Sequence, residues 1–477
     1  MIWIVALSAF AVYANAAVFL AGWGLKWSVL FVNWTKNGTL LPQENSPDGN
    51  CRGMVARPIY FSVHLPTHNE PPDIVIKTID SILASEYAHF ELLVIDNNTD
   101  ETDLWLPVYE YCLDKGPHIR FYHCINVKNA KAGALDIALE LRSREATHVV
   151  IVDADYTVHK DFLSRAAALL SENQCDYLQF PQSYRGEGAE GLKNELGLYF
   201  STVSQAADAA NTMLLTGTLS VIRAEALDAV GGWNTTTLTE DAEIGLQLHM
   251  RGFRGRYISQ AAGAGLLPFT FADLEKQRER WINGNFQVLT RYFKRIITVK
   301  KSYLLAVLCQ LSAWFAYLLV PVVFLLLFPL TTLSGTLSEP AAPGLVIAAA
   351  TIILDFLCRF VFISLSGVGS TILSVCEAFM VSWSLAGRSS LATFTGNFPS
   401  ARIFHRTNKS LVDRVSVSMD SRTTQMFALF GILIMVQGFY LGFWWLILAG
   451  ALLVLMLPFQ KLTSRQLRIY RDQFLAG

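Results

Sequence analysis

The sequence is poor in charged side chains. Asp, Glu, Lys and Arg together make up 16% of its 477 residues, whereas hydrophobic residues make up 52% and the mean hydropathy is +0.35. Soluble domains carry about 25% charged residues, so this composition indicates a membrane protein. The formal net charge is −1. There is therefore no basic excess that would indicate a nucleic-acid partner. The seven cysteines form no CxxC pair, and this spacing indicates reduced thiols rather than a zinc site.

Strand-like and helix-like stretches alternate between Tyr60 and about Val299. The alternation predicts an α/β domain with a mostly parallel sheet and helices on both faces. Polar or acidic residues follow the strands, where such sheets bind ligands. The turns after these strands contain neither GxGxxG nor GxxxxGK[ST], which argues against dinucleotide and P-loop sites. The predicted strands are 60–67, 90–96, 118–124 and 148–156.

Long apolar runs lie on both sides of this domain. The first could be a cleaved signal peptide, but Lys26 follows it and no Lys or Arg precedes it, which favours a retained helix. We expect five membrane spans in all, with the α/β domain in the cytosol. The predicted divisions are 1–23 as a span, 24–56 as a linker, 57–300 as the α/β domain, 301–366 as two spans, 367–423 as an interfacial or re-entrant segment with a loop, 424–460 as two spans and 461–477 as a cytosolic tail.

Carboxylates stand at two places suited to chemistry. Asp153 and Asp155 close a predicted strand and could bind Mg²⁺ or Mn²⁺ together with phosphates, or could simply cap the next helix. Thr239, Glu240 and Asp241 open a helix, where acids stabilise the first turn on electrostatic grounds alone. Asp241 could equally serve as a general base at the mouth of a cleft.

The stretch Gln277–Trp281 reads QRERW and stands where the α/β pattern gives way to apolar runs. Its two arginines could bind an anionic group, and its tryptophan offers a flat ring to a sugar. The same composition is typical of an interfacial belt at a membrane surface.

Eight short strings occur in an order that resembles one family. They are PTHNE, VIDNN, NAKAGALD, VDADY, QFPQ, LTGT, LTED and QRERW. The chain resembles membrane-integrated, processive family-2 glycosyltransferases, which include cellulose, chitin and hyaluronan synthases. The wording of the strings is similar to that of bacterial β-1,3-type glucan synthases. The resemblance implies a GT-A-like domain and an inverting transfer from a UDP-sugar, expected to be UDP-glucose, to a growing polysaccharide that crosses the membrane.

The resemblance also implies a role for each matched residue. Asp241, with Glu240, would be the catalytic base, and Asp155 would bind Mg²⁺ or Mn²⁺. Residues implied to bind the donor are Thr67, Asn69, Glu70, Asp96, Lys131, Asp153, Gln277, Arg278 and Arg280. Residues implied to bind the acceptor are Gln182, Gly217, Thr218 and Trp281. Phe404, Thr407 and Lys409 resemble a gating loop, although Arg406 departs from the family string.

Two other functions fit parts of the same pattern. A non-processive lipid glucosyltransferase of the ceramide type carries similar acidic and QxxRW-like strings. A transporter or receptor could bind a nucleotide sugar without turning it over. The several spans after QRERW favour the polymerase. Nothing in the sequence identifies an accessory subunit.

Overall fold

The computed structural model describes residues 2–37, 58–173, 175–233, 236–298, 301–333, 341–369, 371–396 and 421–476. The predicted gating-loop residues Phe404, Thr407 and Lys409 lie outside these ranges, so their role stays a prediction.

In the described part of the α/β domain, nine strands form two sheets. Seven lie in one sheet in the order β3-β2-β1-β4-β7-β6-β8, and β5 pairs with β9 in a second. All strands of the large sheet run parallel except β7, which is antiparallel to both β4 and β6. The strands are β1 (Phe61–Thr67), β2 (Phe90–Asn97), β3 (Ile119–Cys124), β4 (His148–Ile151), β5 (Thr157–Val158), β6 (Tyr177–Gln179), β7 (Ser220–Arg223), β8 (Gly255–Tyr257) and β9 (Gly263–Ala264).

Helices cover both faces of the large sheet, as the sequence predicts. β1 and β2 are buried along their whole length, as expected for strands covered on both faces. β1 is not a continuous apolar run, and its buried Ser62 donates a hydrogen bond to Glu91 Oε1 of β2 at 2.8 Å. The helices of the domain are α2 (Pro72–Leu83), α3 (Thr102–Leu113), α4 (Ala130–Leu141), α5 (Phe162–Asn173), α6 (Glu190–Leu198), α7 (Gln205–Ala209), α8 (Ala224–Val230) and α9 (Glu240–Met250), and a π-helical turn, Tyr199–Ser204, joins α6 to α7.

The remaining helices are α1 (Ile2–Asn37), α10 (Phe271–Ile296), α11 (Lys301–Ser312), α12 (Leu319–Leu333), α13 (Ala341–Leu365), α14 (Ile372–Thr395), α15 (Arg422–Leu441), α16 (Trp444–Val454) and α17 (Met456–Ala476). Within the described part of the chain, four helical segments are long and apolar enough to cross a membrane. They are Ala9–Val32, Pro343–Leu365, Arg422–Leu441 and Trp444–Leu475. The sequence predicts five.

The predicted span at 303–330 is wrong as one continuous helix, and whether this run crosses a membrane stays a prediction. It is divided into α11 and α12 by an irregular stretch at 313–318. Pro321 in the first turn of α12 explains the break, because its ring would clash with the carbonyl of residue 317 in a continuous helix. The freed carbonyl of Tyr317 accepts a hydrogen bond from Asn15 Nδ2 at 3.1 Å, and the N–H of Leu319 donates to Ser390 Oγ at 2.7 Å.

The predicted boundary after residue 23 is also wrong. α1 continues to Asn37, because no proline occurs before Pro42 and apolar residues persist to Phe31. Val29 packs in one cluster with Val203 and Cys309. The first part of the predicted linker is therefore helical and touches the α/β domain.

The predicted interfacial segment and the predicted tail both form helices against the α/β domain. Val381 of α14 shares a buried cluster with Leu192 of α6. Tyr470 of α17 is 1% exposed, and its hydroxyl accepts a hydrogen bond from the N–H of Leu267 at 3.2 Å. Whether α14 lies at the interface stays a prediction.

Candidate active site

A cleft of about 430 Å³ opens at the carboxyl ends of β1 and β4. It is bounded on the other side by the start of α9 and by α10. Most of the residues that the sequence predicts for the site line this cleft: Thr67, Glu70, Lys131, Asp153, Asp155, Gln182, Gly217, Glu240, Asp241, Gln277, Arg280 and Trp281. Their positions in sequence are far apart, and the parallel sheet brings them to one edge.

Lys131, in the first turn of α4, lies among three of these carboxylates. Its Nζ is 2.5 Å from Asp153 Oδ1 and 3.6 Å from Glu240 Oε1. Burial lowers the pKa of Lys131, but the three carboxylates of Asp153, Glu240 and Asp241 raise it by more. The pKa of Lys131 is therefore raised overall. The ammonium group therefore stays charged at the centre of the cleft.

Asp241 lies in the first turn of α9. Burial and the neighbouring Glu240 raise its pKa to about 7, although Lys131 acts in the opposite direction. A carboxylate with this pKa exchanges protons near neutral pH, as a general base requires. Thr239 occupies the N-cap position but makes no capping hydrogen bond, so its side chain does not act as the helix cap that the sequence allows.

Gly217 allows the chain to pass close to this carboxylate. Its φ is +91°, and a Cβ built there would lie 3.1 Å from Asp241 Oδ2 and 3.6 Å from Lys131 Nζ. A side chain at this position would be strained and would crowd the two charged groups. The glycine of LTGT therefore shapes the approach to Asp241.

Asp153 and Asp155 are the carboxylates at the end of β4 that could hold a divalent cation. Asp155 is 7% exposed and lines the cleft beyond the end of β4. The described residues contain no group of three or more His, Cys, Asp or Glu side chains gathered as a metal cluster. Mg²⁺ needs only one or two protein carboxylates when waters and substrate phosphates complete its shell, so this donor set fits Mg²⁺ or Mn²⁺ held jointly with a diphosphate.

Three residues predicted to bind ligand lie just beneath the cleft or at its edge instead. Asp96 is 3% exposed, and its carboxylate accepts hydrogen bonds from Thr67 Oγ1 at 3.0 Å and from Thr99 Oγ1 at 2.7 Å. Thr218 Oγ1 accepts the backbone N–H of Asp153 at 3.0 Å. Asn69 adopts a left-handed φ of 52° and its N–H donates to Thr99. All three fix residues of the cleft wall.

Arg278 is the residue of QRERW that was predicted to bind the donor but does not line the cleft. At 100° per residue it lies about 160° around α10 from Arg280, whereas Gln277, Arg280 and Trp281 share a face. It is 3% exposed and its Nη2 donates to Glu195 Oε2 at 2.6 Å. The motif therefore presents one arginine to the cleft rather than the two expected.

A second cavity, of about 70 Å³, adjoins the cleft next to α10 and the stretch 310–314. Thr216, Thr239, Asp241 and Trp281 line both spaces, so the carboxylate of Asp241 lies on a shared wall. A third cavity of about 80 Å³ follows between α1, α13 and α14 and shares Trp314 with the second.

Sequence comparison matches this chain to two profiles. Glycosyl transferase family 2 matches residues 62–231, and Glycosyl transferase family group 2 matches residues 148–365. The chain carries a family-2 glycosyltransferase domain. The matched region contains the whole cleft together with α10 to α13, so the resemblance seen in the short motifs is confirmed.

Relatives of this glycosyltransferase include polysaccharide synthases. A cellulose synthase catalytic subunit of Xanthomonas axonopodis is 29% identical over 238 residues, which are 47% of this chain and 31% of that protein. A poly-β-1,6-N-acetyl-D-glucosamine synthase of Staphylococcus epidermidis is 27% identical over 279 residues, 56% of this chain and 64% of that protein. The matches thus span from about a third to under two thirds of these relatives.

A solved structure shares the fold. The mannosyltransferase PcManGT of Pyrobaculum calidifontis, in complex with GDP-Man and Mn²⁺, has a TM-score of 0.51 and 17% sequence identity. The match covers 81% of this chain and 99% of that one. The GT-A-like fold expected from the sequence is therefore confirmed. The assignment of the chain as a glycosyltransferase is confirmed by the family match over residues 62–231.

Sequence reasoning missed several residues of this glycosyltransferase site. Thr216 lies one residue before the predicted Gly217, within the same LTGT string. Its place in that string could have indicated that it lines the cleft. Trp314 and Tyr199, which line the second cavity, carried no signal. One lies in an apolar run read as a span, and the other lies in a helical stretch without a motif.

Proposed function

We propose that this glycosyltransferase is an inverting β-glycan synthase. It transfers glucose from UDP-glucose to the growing end of a polysaccharide and passes the product across the membrane. The observation that carries the proposal is the position of Asp241 on the wall common to a polar cleft and a second, aromatic cavity. One carboxylate can then face a donor on one side and an acceptor on the other.

The reaction needs one base and one stabilised leaving group. Asp241 accepts the proton of the acceptor hydroxyl, while the oxygen of that hydroxyl attacks the anomeric carbon of the donor. The bond from that carbon to the diphosphate breaks, and UDP departs with the electron pair. A single displacement inverts the anomeric centre, so an α-linked donor yields a β-linkage. Glu240 keeps the pKa of Asp241 high enough for the base to be effective near neutral pH.

Cationic and hydrogen-bonding groups stabilise the leaving diphosphate. Lys131, Arg280 and Gln277 line the cleft, where they would face the diphosphate of a bound donor. Donors preorganised around developing negative charge commonly supply the largest part of catalysis. A bound Mg²⁺ or Mn²⁺, held by Asp155, would neutralise further charge on the diphosphate.

The remaining residues of the cleft bind the two substrates. Thr67, Glu70 and Asp153 contact the nucleotide, with Asp96, Asn69 and Thr218 holding them in place. Trp281 stacks on the terminal sugar of the acceptor, while Gln182 and the backbone at Gly217 bind its hydroxyls. Gln182 Nε2 already donates to the carbonyl of Thr216 at 2.5 Å, which orients its side chain at the shared wall.

The cavities on the membrane side support movement of a polymer. The second and third cavities follow one another from Asp241 toward α1 and α13. A glycan leaving the cleft would meet the rings of Trp281, Trp314 and Trp23 in turn. The matched polysaccharide synthases support the same outcome. In this proposal the cleft faces the cytosol, where UDP-sugars are made, and Phe404, Thr407 and Lys409 gate the cleft.

Product sizing tests the proposal. The full chain, reconstituted in liposomes, is incubated with radiolabelled UDP-glucose and Mg²⁺, and products are separated by size and by solubility in organic solvent. We expect a long glycan that a β-glucanase digests. A single glucose on a lipid would instead identify a lipid glucosyltransferase. Uptake of donor without release of UDP would identify a transporter or receptor.

A further inference from the structure

Arg278 forms a buried contact that the proposed reaction does not use. Its guanidinium lies 3.8 Å from the ring centroid of Trp314 and 5.4 Å from that of Trp281. The two tryptophan rings are 5.4 Å apart with an angle of 39° between their planes. One cation therefore contacts both indole rings.

Glu195 fixes the guanidinium in place. The ion pair between Arg278 and Glu195 measures 2.6 Å, and the two residues are 3% and 5% exposed. A buried charge is costly unless it is paired and hydrogen-bonded, so this pair holds a single geometry. A guanidinium that is held in this way cannot follow a moving ring, and the ring must adapt to it.

Tyr199 adds a further planar group to the cluster. Its ring stacks with that of Trp314 at 5.5 Å and 16°. The cluster draws on α6 and its π-helical turn, on α10, and on the break between α11 and α12. Its planar groups are thus set by three separate parts of the fold before any ligand arrives.

The cluster stands where an acceptor has to pass. Trp281 lines the cleft and the second cavity, and Trp314 lines the second cavity and the third. Aromatic faces bind the apolar faces of sugar rings, and two tilted rings in sequence can contact two successive sugars. The pair therefore extends the acceptor contact beyond the single tryptophan of QRERW.

We propose that Arg278 is a positioning residue for the acceptor, which holds Trp281 and Trp314 as a two-ring platform for the last sugars of the glycan. This rests on the proposed function, since it assumes transfer to a sugar acceptor. Arg280, two residues away, acts on the donor instead. The two arginines of one motif thus serve opposite substrates.

Arg278→Lys tests the platform. Lysine keeps the charge and can pair with Glu195, but it lacks the planar group that lies on Trp314. The full chain in nanodiscs is supplied with UDP-glucose, Mg²⁺ and a trisaccharide acceptor, cellotriose or laminaritriose. Glucose transferred to the trisaccharide and glucose released to water are measured together. We expect the KM for the trisaccharide to rise about tenfold, because a cation–π contact is lost. The donor KM should change less than twofold.

Arg388→Lys is the matched control, because Arg388 forms an ion pair with Glu279 of the same helix α10 but lines neither the cleft nor the second cavity. It should leave the ratio of transfer to hydrolysis unchanged. Damage to folding would lower transfer and hydrolysis equally. The ratio of transfer to hydrolysis and both KM values would then stay unchanged. A second variant, Arg278→Met with Glu195→Met, removes both charges and should also raise the KM for the trisaccharide.

An unchanged ratio and acceptor KM in both Arg278 variants would overturn the platform and leave the proposed function standing. A wild-type chain that hydrolyses UDP-glucose but extends neither trisaccharide nor any endogenous glycan would overturn both.

Discussion

The cleft and the second cavity share a wall but are lined by different kinds of side chain. The cleft is lined by charged and polar side chains from the ends of strands and the starts of helices, such as Asp153, Lys131 and Glu240. The second cavity is lined largely by aromatic and aliphatic side chains, such as Tyr199, Leu214 and Trp314. One space suits a diphosphate and the other suits sugar rings.

In the proposed function, this difference places the donor in the cleft and the acceptor in the second cavity. A dianionic leaving group needs fixed positive charge and hydrogen-bond donors. A neutral glycan that must slide needs flat surfaces with few strong anchors. Asp241 and Trp281 belong to both sides, so changes there should impair the transfer step itself, whereas a change on one side should alter the binding of one substrate only.

The largest effect is expected at the shared wall. Asp241→Asn keeps the shape of the side chain but removes the base, so kcat should fall by about a thousandfold, within the range for losing a general base. Donor affinity should remain, because the diphosphate contacts lie elsewhere in the cleft. UDP release gives kcat, and calorimetry with UDP gives affinity.

Asp161→Asn, at an exposed carboxylate outside the cleft, is the control and should be silent. Normal turnover in Asp241→Asn would show that Asp241 is not the base, and it would favour a protein that only binds its donor.

A change on the cleft side alone should be smaller and should affect the donor. Lys131→Met removes the cation that contacts Asp153 and Glu240, so we expect kcat/KM for the donor to fall by about a hundredfold. Because Lys131 lowers the pKa of Asp241, its loss should also move the acidic limb of the pH profile to higher pH. Product length at saturating donor should be unchanged, and shortened products would contradict the division between the two sides.

Gly217→Ala tests crowding at the wall and should have a moderate effect. The added Cβ would lie 3.1 Å from Asp241 Oδ2, and we expect kcat to fall about tenfold, which corresponds to about 1.4 kcal/mol. Gly116→Ala is the control, because Gly116 has a similar positive φ of +89°. No atom lies within 4 Å of a Cβ at that position, so only backbone strain is added. Equal losses of activity in both variants would show that backbone strain, not the contact with Asp241, is responsible.

The smallest expected effect is the pH dependence of the unaltered chain. The pKa of Asp241 is raised to about 7 by burial and by Glu240. Since only the ionised carboxylate can accept a proton, kcat/KM should rise with pH through about 7 and stand near half of its plateau there. Initial rates between pH 5.5 and 8.5 would check this. A flat profile across pH 7 would mean that another group limits the reaction.

Most of the cleft was predictable because its residues belong to short strings at strand ends. Alternating apolar runs located β1, β2 and β4, and parallel strands bring their carboxyl ends to one edge. The end of β4 predicted Asp153 at this edge. That Lys131 and Asp241 share the site with Asp153 was implied only by the family resemblance, because sequence alone does not show that distant stretches meet in one cleft. Four residues predicted to bind a ligand do not line the cleft, namely Asn69, Asp96, Thr218 and Arg278. For Arg278 the 100° rotation per residue of a helix was a usable signal.

The aromatic side was not predictable in the same way. Trp314 and Tyr199 come from stretches with no motif, and their contact depends on how α11, α6 and α10 pack. Trp314 lies in the break at 313–318, which Pro321 explains. A proline within an apolar run is also compatible with a kinked span, so the break was not predictable from it. The continuation of α1 to Asn37 is compatible with the local sequence, which has no proline before Pro42, but the contact of Val29 with Val203 depends on tertiary packing.

The most direct test of single displacement on this shared wall is the anomeric configuration of the product. The full chain is given UDP-glucose, which is α-linked, together with Mg²⁺, and the purified glycan is examined by NMR spectroscopy. A β-linked chain is the expected result. An α-linked product would contradict direct attack assisted by Asp241, because retention requires a second displacement.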